Sequence, residues 1–350
     1  MHKIRDQYMK DIRKKKRKQE LKALRQKAIG YEIDPMGPDD GESDYEDELL
    51  DFLDSIRPKF REQLKNHDPE LAGTVKEIRE NLENNSWDVR DEFSKALILN
   101  DLLELINQNI HEMPDLISDL FRIFGAIAED KSNSEKLVEL GFESILEEYL
   151  SKPVEGFEVN LLFMLANLLA HFSVRDHLNH TKFIPKLVNC LFSMDTTPDK
   201  FSIFPSNNLS GSRIKLPSKP ESAVESARLL SNLSAPNNEK AIPVDFVEAT
   251  LYLEAILELY SAFREEFDVK METIWVINYF VSSVQNRAER TTIILKNQSI
   301  FDFVLDCLED GSDAIMKPAL RCFVNLTNGH SNLLLPVISD RLVKVSAISF

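Results

Sequence analysis

The stretches ARLLSNLS (residues 227–234) and ALRCFVNLT (residues 319–327) decide the fold of this 350-residue chain. Each has apolar residues three and four positions apart, the spacing of one face of an α-helix, and each carries an Asn near its end. Three further segments have the same pattern. In these segments the position that corresponds to Asn232 and Asn325 is occupied by Gly125, Asn167 and Tyr279. Few glycines (10 in all) and few β-branched runs favour an all-α protein.

These five positions recur at intervals of 42, 65, 47 and 46 residues. The long interval contains an insertion rich in Ser, Pro and Asn near residues 194–220, which we expect to be a loop. Without it, the period is that of armadillo or HEAT repeats, about 40–47 residues. We therefore predict an armadillo-repeat right-handed superhelix, an α-solenoid of about five to six repeats over residues 56–350, whose stacked units form a concave groove. A helical bundle without repeats is the alternative.

Charge is distributed unevenly along the chain, whose formal net charge is −16. Residues 1–27 contain 12 Lys or Arg and 3 Asp or Glu, whereas residues 32–54 contain 11 acids and no base. We expect a basic arm over residues 1–30. Because so acidic a composition cannot bury a core, we expect a flexible acidic linker over residues 31–55.

The order of these parts resembles the importin-α family. The segment RKKKRKQELKALRQKA (residues 13–28) resembles that family's importin-β-binding arm. The segment PELAGTVKEIRENLENNSWDVRDEFSKALILNDLLELI (residues 69–106) resembles the part that follows it, which includes the family's atypical first repeat. ARLLSNLS and ALRCFVNLTNG resemble its third helices of the WALSNL type. The resemblance implies a nuclear import adaptor of the cytoplasm and nucleus, whose partners are an importin-β-like carrier and basic segments of cargo proteins.

The family also implies a binding site. In importin-α, a Trp and an Asn four residues later lie on one face of each third helix; the Asn holds the main chain of an extended peptide, and the indoles form slots for lysine stems. Carboxylates near the slots receive the ammonium groups. Carried over by position, this cargo-peptide groove consists of Phe163, Asn167, Glu225, Arg228, Asn232, Glu272, Trp275, Tyr279, Arg321 and Asn325.

The groove departs from the family pattern. Phe121 and Gly125 replace the first Trp and Asn, and Trp275 is the one Trp at a Trp position. Arg228 and Arg321 would repel a lysine, so we expect an altered site. On the residues alone, the Asn side chains could instead fix the turns that follow them, Trp275 could be a core residue, and Glu225 and Glu272 could belong to a solvated face.

The basic arm has several candidate roles. The resemblance implies that its carrier-binding residues are Arg13, Lys14, Lys15, Lys16, Arg17, Lys18, Lys22 and Arg25. The same cluster could compete for the chain's own groove, act as a nuclear localisation signal, or bind RNA or DNA. The acidic body argues against nucleic acid, and the small apolar side of the predicted helix, without aromatics, argues against a membrane.

Other chemistry is not indicated. The chain has no Gly-rich phosphate loop, G-x-S-x-G elbow or H-E-x-x-H motif, so we expect neither an enzyme nor a cofactor. The cluster of His171, His177 and His180 crosses a predicted turn and is not expected to bind metal. The longest apolar run, residues 159–172, is too short to span a bilayer, and three scattered cysteines suit a reducing compartment. The alternative function is an armadillo scaffold that binds a different partner.

Overall fold

The computed structural model describes residues 42–84, 98–109, 113–151, 158–192, 216–236 and 244–328. Over these ranges the protein forms fifteen α-helices and no strand, which confirms the all-α prediction. The chain divides into two compact units, unit 1 over residues 1–183 and unit 2 over residues 184–350.

The helices follow one another along the chain with short connections. Unit 1 contains, in its described ranges, α1 Glu42–Asn66, α2 Leu71–Asn84, α3 Ile98–Asn109, α4 Pro114–Ile127, α5 Lys131–Glu139, α6 Phe142–Ser151, α7 Glu158–Leu168 and α8 Phe172–His180. Helix α9, Phe183–Phe192, begins at the boundary between the units. Unit 2 then contains α10 Pro220–Ser234, α11 Phe246–Ala262, α12 Phe267–Ser282, α13 Arg287–Lys296, α14 Gln298–Leu308 and α15 Asp313–Thr327.

One three-helix arrangement recurs within the units. A long helix, which we call the third helix, is followed by a short helix and then by a helix of intermediate length, as in α4–α5–α6 and α12–α13–α14. The third helices pack side by side, α2 against α4 and α4 against α7 in unit 1, and α10 against α12 and α12 against α15 in unit 2. Each buries its apolar residues against its neighbours, as stacked repeats require.

Local sequence signals set the helix starts. Asp130 caps α5 by accepting hydrogen bonds from the backbone N–H groups of Ser132 and Asn133. Asn297 and Ser312 cap α14 and α15 in the same way. Such caps satisfy N–H groups that have no partner inside the helix, and they fix where each helix begins after its turn.

In unit 1, a left-handed residue stands between each described short helix and the helix that follows it. Gly141, with φ of 81°, separates α5 from α6, and Lys182, with φ of 62°, separates α8 from α9. Glycine adopts this conformation without steric cost, whereas a residue with a Cβ is strained by it. The two turns therefore share a left-handed residue, although only one of them contains a glycine.

A buried arginine joins three segments of unit 2. Arg290 donates to the main-chain oxygens of Val244 and Gln285 at 3.1 Å and of Phe280 at 3.5 Å. Its guanidinium carbon lies 5.2 and 5.0 Å from the ring centroids of Phe246 and Phe280. Burial lowers the pKa of Arg290. The side chain ties α13 to the end of α12 and to the segment that enters α11.

The predicted flexible linker over residues 31–55 is wrong from Glu42 onward, because α1 begins there and runs to Asn66. Leu53, Ile56 and Phe60 recur at helical spacing on this helix and are buried. The many acidic residues of the segment favoured the prediction of a linker, although its apolar residues are spaced as in an amphipathic helix. Residues 31–41, the arm over residues 1–30 and the first part of the predicted insertion, up to residue 215, lie outside the described residues.

Candidate functional site

Two Asn side chains fasten α7 to α4 in unit 1. Asn167 Nδ2 donates to the main-chain oxygen of Gly125 at 2.8 Å, and Asn160 Nδ2 donates to the oxygen and Oγ of Ser118 at 3.2 and 2.8 Å. In both pairs the residues are 42 positions apart, so the helix contact follows the sequence period. Asn167 is buried, and its amide joins two third helices, a role that neither sequence interpretation anticipated.

Gly125 allows this close contact. A Cβ on Gly125 would lie 2.5 Å from Cε1 of Phe163 and 3.2 Å from Cα of Met164. Arg122 also contacts the Phe163 ring, with its guanidinium carbon 4.1 Å from the ring centroid. The predicted groove residue Phe163 thus makes a cation–π contact with an arginine of the protein itself. Phe121 is a core residue, edge-on to Tyr149.

Four charged side chains on α2 and α4 form ion pairs with one another. Arg79 contacts Glu83 and Asp119, both at 2.7 Å, and Arg122 contacts Glu83 at 2.8 Å. Burial raises the pKa of Asp119, and Arg79 opposes that rise. These alternating charges connect α2 to α4. A charged ligand would compete with existing ion pairs on this face.

In unit 2, the predicted residues of α10 also contact one another. Glu225 Oε2 lies 2.5 Å from Nη1 of Arg228, and the side chains are 15% and 10% exposed. Glu225 was predicted to receive a cation from a ligand, but Arg228 already neutralises it. Asn232, one turn further along α10, is buried.

The predicted residues of α12 form a buried polar and aromatic cluster. Glu272, Trp275 and Tyr279 are 2%, 3% and 3% exposed. The two rings lie 5.6 Å apart between centroids at an angle of 31°. Among the residues that the structure describes, Glu272 Oε2 and Trp275 Nε1 have no hydrogen-bond partner. Leaving a buried polar group without a partner is unfavourable by about 1–3 kcal/mol.

Helices α12 and α15 run parallel, with contacts at both ends. Lys270 Nζ lies 2.6 Å from Asp310 Oδ2, just before α15 begins, and near the other end Asn325 Nδ2 donates to Asn278 Oδ1 at 3.2 Å. Asn278 is fully buried, and its Nδ2 has no partner in the described part of the chain. The alignment of the repeats placed Tyr279 at the Asn position and missed Asn278 beside it. The Asn in the sequence INYF (residues 277–280) was the signal that could have revealed it.

Arg321 lies one helical turn before Asn325 on α15. Its Nη1 atom is buried and, within the described ranges, makes no hydrogen bond.

Arg287, at the start of α13, donates to the main-chain oxygen of Asn325 at 3.5 Å. A cation near the carbonyl end of a helix is favourable because of the helix dipole.

The structure thus divides the predicted groove. Eight of its residues lie on adjacent third helices of unit 2, namely Glu225, Arg228, Asn232, Glu272, Trp275, Tyr279, Arg321 and Asn325, whereas Phe163 and Asn167 lie in unit 1. The arm residues Arg13, Lys14, Lys15, Lys16, Arg17, Lys18, Lys22 and Arg25 are outside the described residues. Across the described ranges, no helix is long and apolar enough to cross a membrane, and no cluster of His, Cys, Asp or Glu could hold a metal ion.

Comparison with solved structures identifies the fold. The chain resembles the designed armadillo repeat protein YIII(Dq)4CqI, with a TM-score of 0.57 and 16% identity over 77% of this chain and 99% of that one. It also resembles the designed protein YIII(Dq.V1)4CPAF in complex with peptide (KR)4, with a TM-score of 0.54 and 17% identity over 77% of this chain and 98% of that one. A third similar structure is of computationally designed armadillo repeat proteins for modular peptide recognition, with a TM-score of 0.54 and 16% identity over 77% and 98% of the two chains. The armadillo-repeat fold is therefore confirmed. No family model and no curated protein matches the chain.

Proposed function

We propose that this chain is an adaptor of the importin-α type. The third-helix face of unit 2 binds a basic peptide segment, and the N-terminal arm binds an importin-β-like carrier. The observation that supports this most directly is the pair of buried, unpartnered atoms Glu272 Oε2 and Trp275 Nε1 on α12.

The chemistry of α12 suits an extended basic peptide. The Glu272 carboxylate would accept from an ammonium or guanidinium group, and the Trp275 and Tyr279 rings would contact the apolar stem of the same side chain. Trp275 Nε1 would donate to a main-chain carbonyl. The structural similarity to a designed armadillo protein in complex with peptide (KR)4 is consistent with this ligand class.

The arm would bind the carrier electrostatically. Residues 1–27 have 12 Lys or Arg against 3 acids, so a carrier with an acidic concave surface would attract them. This interaction would weaken as salt screens the charges. An adaptor of this kind would work in both the cytoplasm and the nucleus.

Binding of a fluorescent (KR)4 peptide to the full chain tests the groove. We expect Glu272→Gln and Trp275→Ala each to weaken binding about tenfold or more, because each removes a direct contact with the ligand. Glu265→Gln, in the exposed connection before α12, removes a carboxylate elsewhere and should leave the affinity unchanged. Absence of binding at low salt, both by (KR)4 and by peptides that carry a KRKR segment beside other residues, would refute the peptide-binding proposal.

A pull-down tests the arm. Immobilised full-length chain should retain purified importin-β, and the chain lacking residues 1–30 should not. Carrier retained equally by both forms would place the contact elsewhere and refute the arm's role. Peptide binding by the truncated chain gives an independent measure of folding.

A scaffold that binds another kind of partner is the second candidate. It is favoured by two contacts within the groove, Asn167 with Gly125 and Glu225 with Arg228, which engage residues that an importin-α-like site would offer to the peptide. Carrier binding without binding of (KR)4 or of any other peptide that carries a KRKR segment would support this second candidate.

A further inference from the structure

We propose that unit 2 selects a mixed-charge peptide, in which Arg321 pairs with an acidic side chain next to the basic one held by Glu272. This inference rests on the proposed peptide-binding function and specifies its ligand. Arg321 is the specificity-determining residue.

Helix register places Arg321 beside the α12 cluster. Because α12 and α15 are parallel and Asn278 contacts Asn325, residues one turn before each Asn lie at the same level. Those residues are Trp275 on α12 and Arg321 on α15. A ligand that contacts the Trp275 ring and continues across the helices therefore meets Arg321 next.

The charges of this face are not uniformly acidic. Arg228 on α10 is neutralised by Glu225 at 2.5 Å. Glu272 on α12 leaves a buried carboxylate oxygen without a partner, and Arg321 on α15 leaves a buried guanidinium nitrogen without one, among the described residues. The two unfilled groups have opposite signs. A carboxylate of the ligand would pair with Arg321, whereas a lysine or arginine at that place would be repelled.

The spacing of the helices sets the spacing of the charges in the ligand. Packed helices are about 8–10 Å apart, and an extended peptide advances about 3.3 Å per residue. The acidic side chain therefore lies about two to four residues from the basic one. An all-basic ligand such as (KR)4 would place a cation against Arg321.

Matched peptides separate this contact from general charge attraction. The full chain is titrated with the peptides KRKRGEGE and KRKRGQGQ, and with EGEGKRKR and QGQGKRKR because the ligand's direction is not fixed in advance. The formal charge of the protein is −16, so nonspecific attraction favours the glutamine peptides. For one of the two peptide orientations we expect the opposite preference: the glutamate peptide should bind about tenfold more tightly than its glutamine counterpart.

Two variants of Arg321 and one control complete the test. Arg321→Glu should reverse the preference, and Arg321→Gln, which keeps length without charge, should abolish it. Arg264→Glu, an identical charge change in the exposed connection before α12, should preserve it. Circular dichroism verifies that each variant is folded.

The outcomes distinguish the two proposals. Tight binding of (KR)4 with no preference for either glutamate peptide, or a preference that survives in Arg321→Gln, overturns the acidic subsite and leaves basic-peptide binding intact. Failure of the wild-type chain to bind any of the peptides overturns both.

Discussion

Asn167 and Gly125 are joined across two neighbouring third helices, with the side-chain amide of one donating to the main-chain oxygen of the other at 2.8 Å. The contact is buried, so loss of the donor leaves a carbonyl without its partner. We predict that Asn167→Ala lowers the free energy of unfolding by about 1–3 kcal/mol, as measured by urea denaturation.

The control for Asn167 is Asn179→Ala, at an exposed position in the last turn of α8, which should change stability little. Peptide affinity should be unchanged in both variants, because the proposed ligand contacts are in unit 2. A loss of affinity in Asn167→Ala without a loss of stability would show instead that this amide contacts the ligand.

Gly125 should not tolerate a side chain while Phe163 is present. The added Cβ of Gly125→Ala would overlap the Phe163 ring, so we predict destabilisation by about 1–3 kcal/mol in thermal or chemical unfolding. Phe163→Leu removes the ring, and Gly125→Ala should therefore be less harmful in that background. Equal effects of the alanine in both backgrounds would contradict the predicted clash.

Replacing Lys182 with glycine should increase the stability of the protein. Its φ of 62° matches the left-handed turn that Gly141 makes with φ of 81° in the preceding repeat. We predict that Lys182→Gly stabilises the protein by up to about 1 kcal/mol and that Gly141→Ala destabilises it by a similar amount. Gly73→Ala is the matched control, since Gly73 lies inside α2 and the described residues place no neighbouring side chain or other helix within 4 Å of the added Cβ. We expect it to be stabilising. A Lys182→Gly variant less stable than wild type would contradict this.

Arg290 should be needed for the stability of unit 2. Arg290→Met keeps much of the apolar stem but removes the donors to three main-chain oxygens, so we predict a loss of about 2–3 kcal/mol in urea denaturation. Arg290→Lys keeps the charge but not the planar fork, and should be intermediate. Arg264→Met, at an exposed site, controls for loss of a positive charge. Equal stability of Arg290→Met and wild type would show that these hydrogen bonds are energetically neutral.

The period of the third helices could be predicted from the sequence because the same pattern of apolar side chains recurs in each of them. The 42-residue interval between Gly125 and Asn167 is also the interval of the hydrogen bond that joins them. The helix that begins at Glu42 is harder to predict because its acidic composition is typical of a linker, although Leu53 and Ile56 follow the helical period.

Fewer contacts of the candidate site could be predicted from the sequence. The pairing of Glu225 with Arg228 could have been expected from their separation of three residues on a helix. Whether Asn278 or Tyr279 contacts α15 could not, because adjacent helical residues point about 100° apart and a one-residue shift in alignment exchanges them. The burial of Trp275 likewise depends on neighbours distant in sequence.

The mutual neutralisation of Arg79, Glu83, Asp119 and Arg122 has a consequence for the size of any recognised motif. Because these four charges are already paired with one another, we expect a peptide to be recognised by the three helices α10, α12 and α15. Three such helices span about 16–20 Å between outer axes, which corresponds to an epitope of only about five or six extended residues. A short linear motif, rather than a long wrapped segment, is the expected unit of recognition.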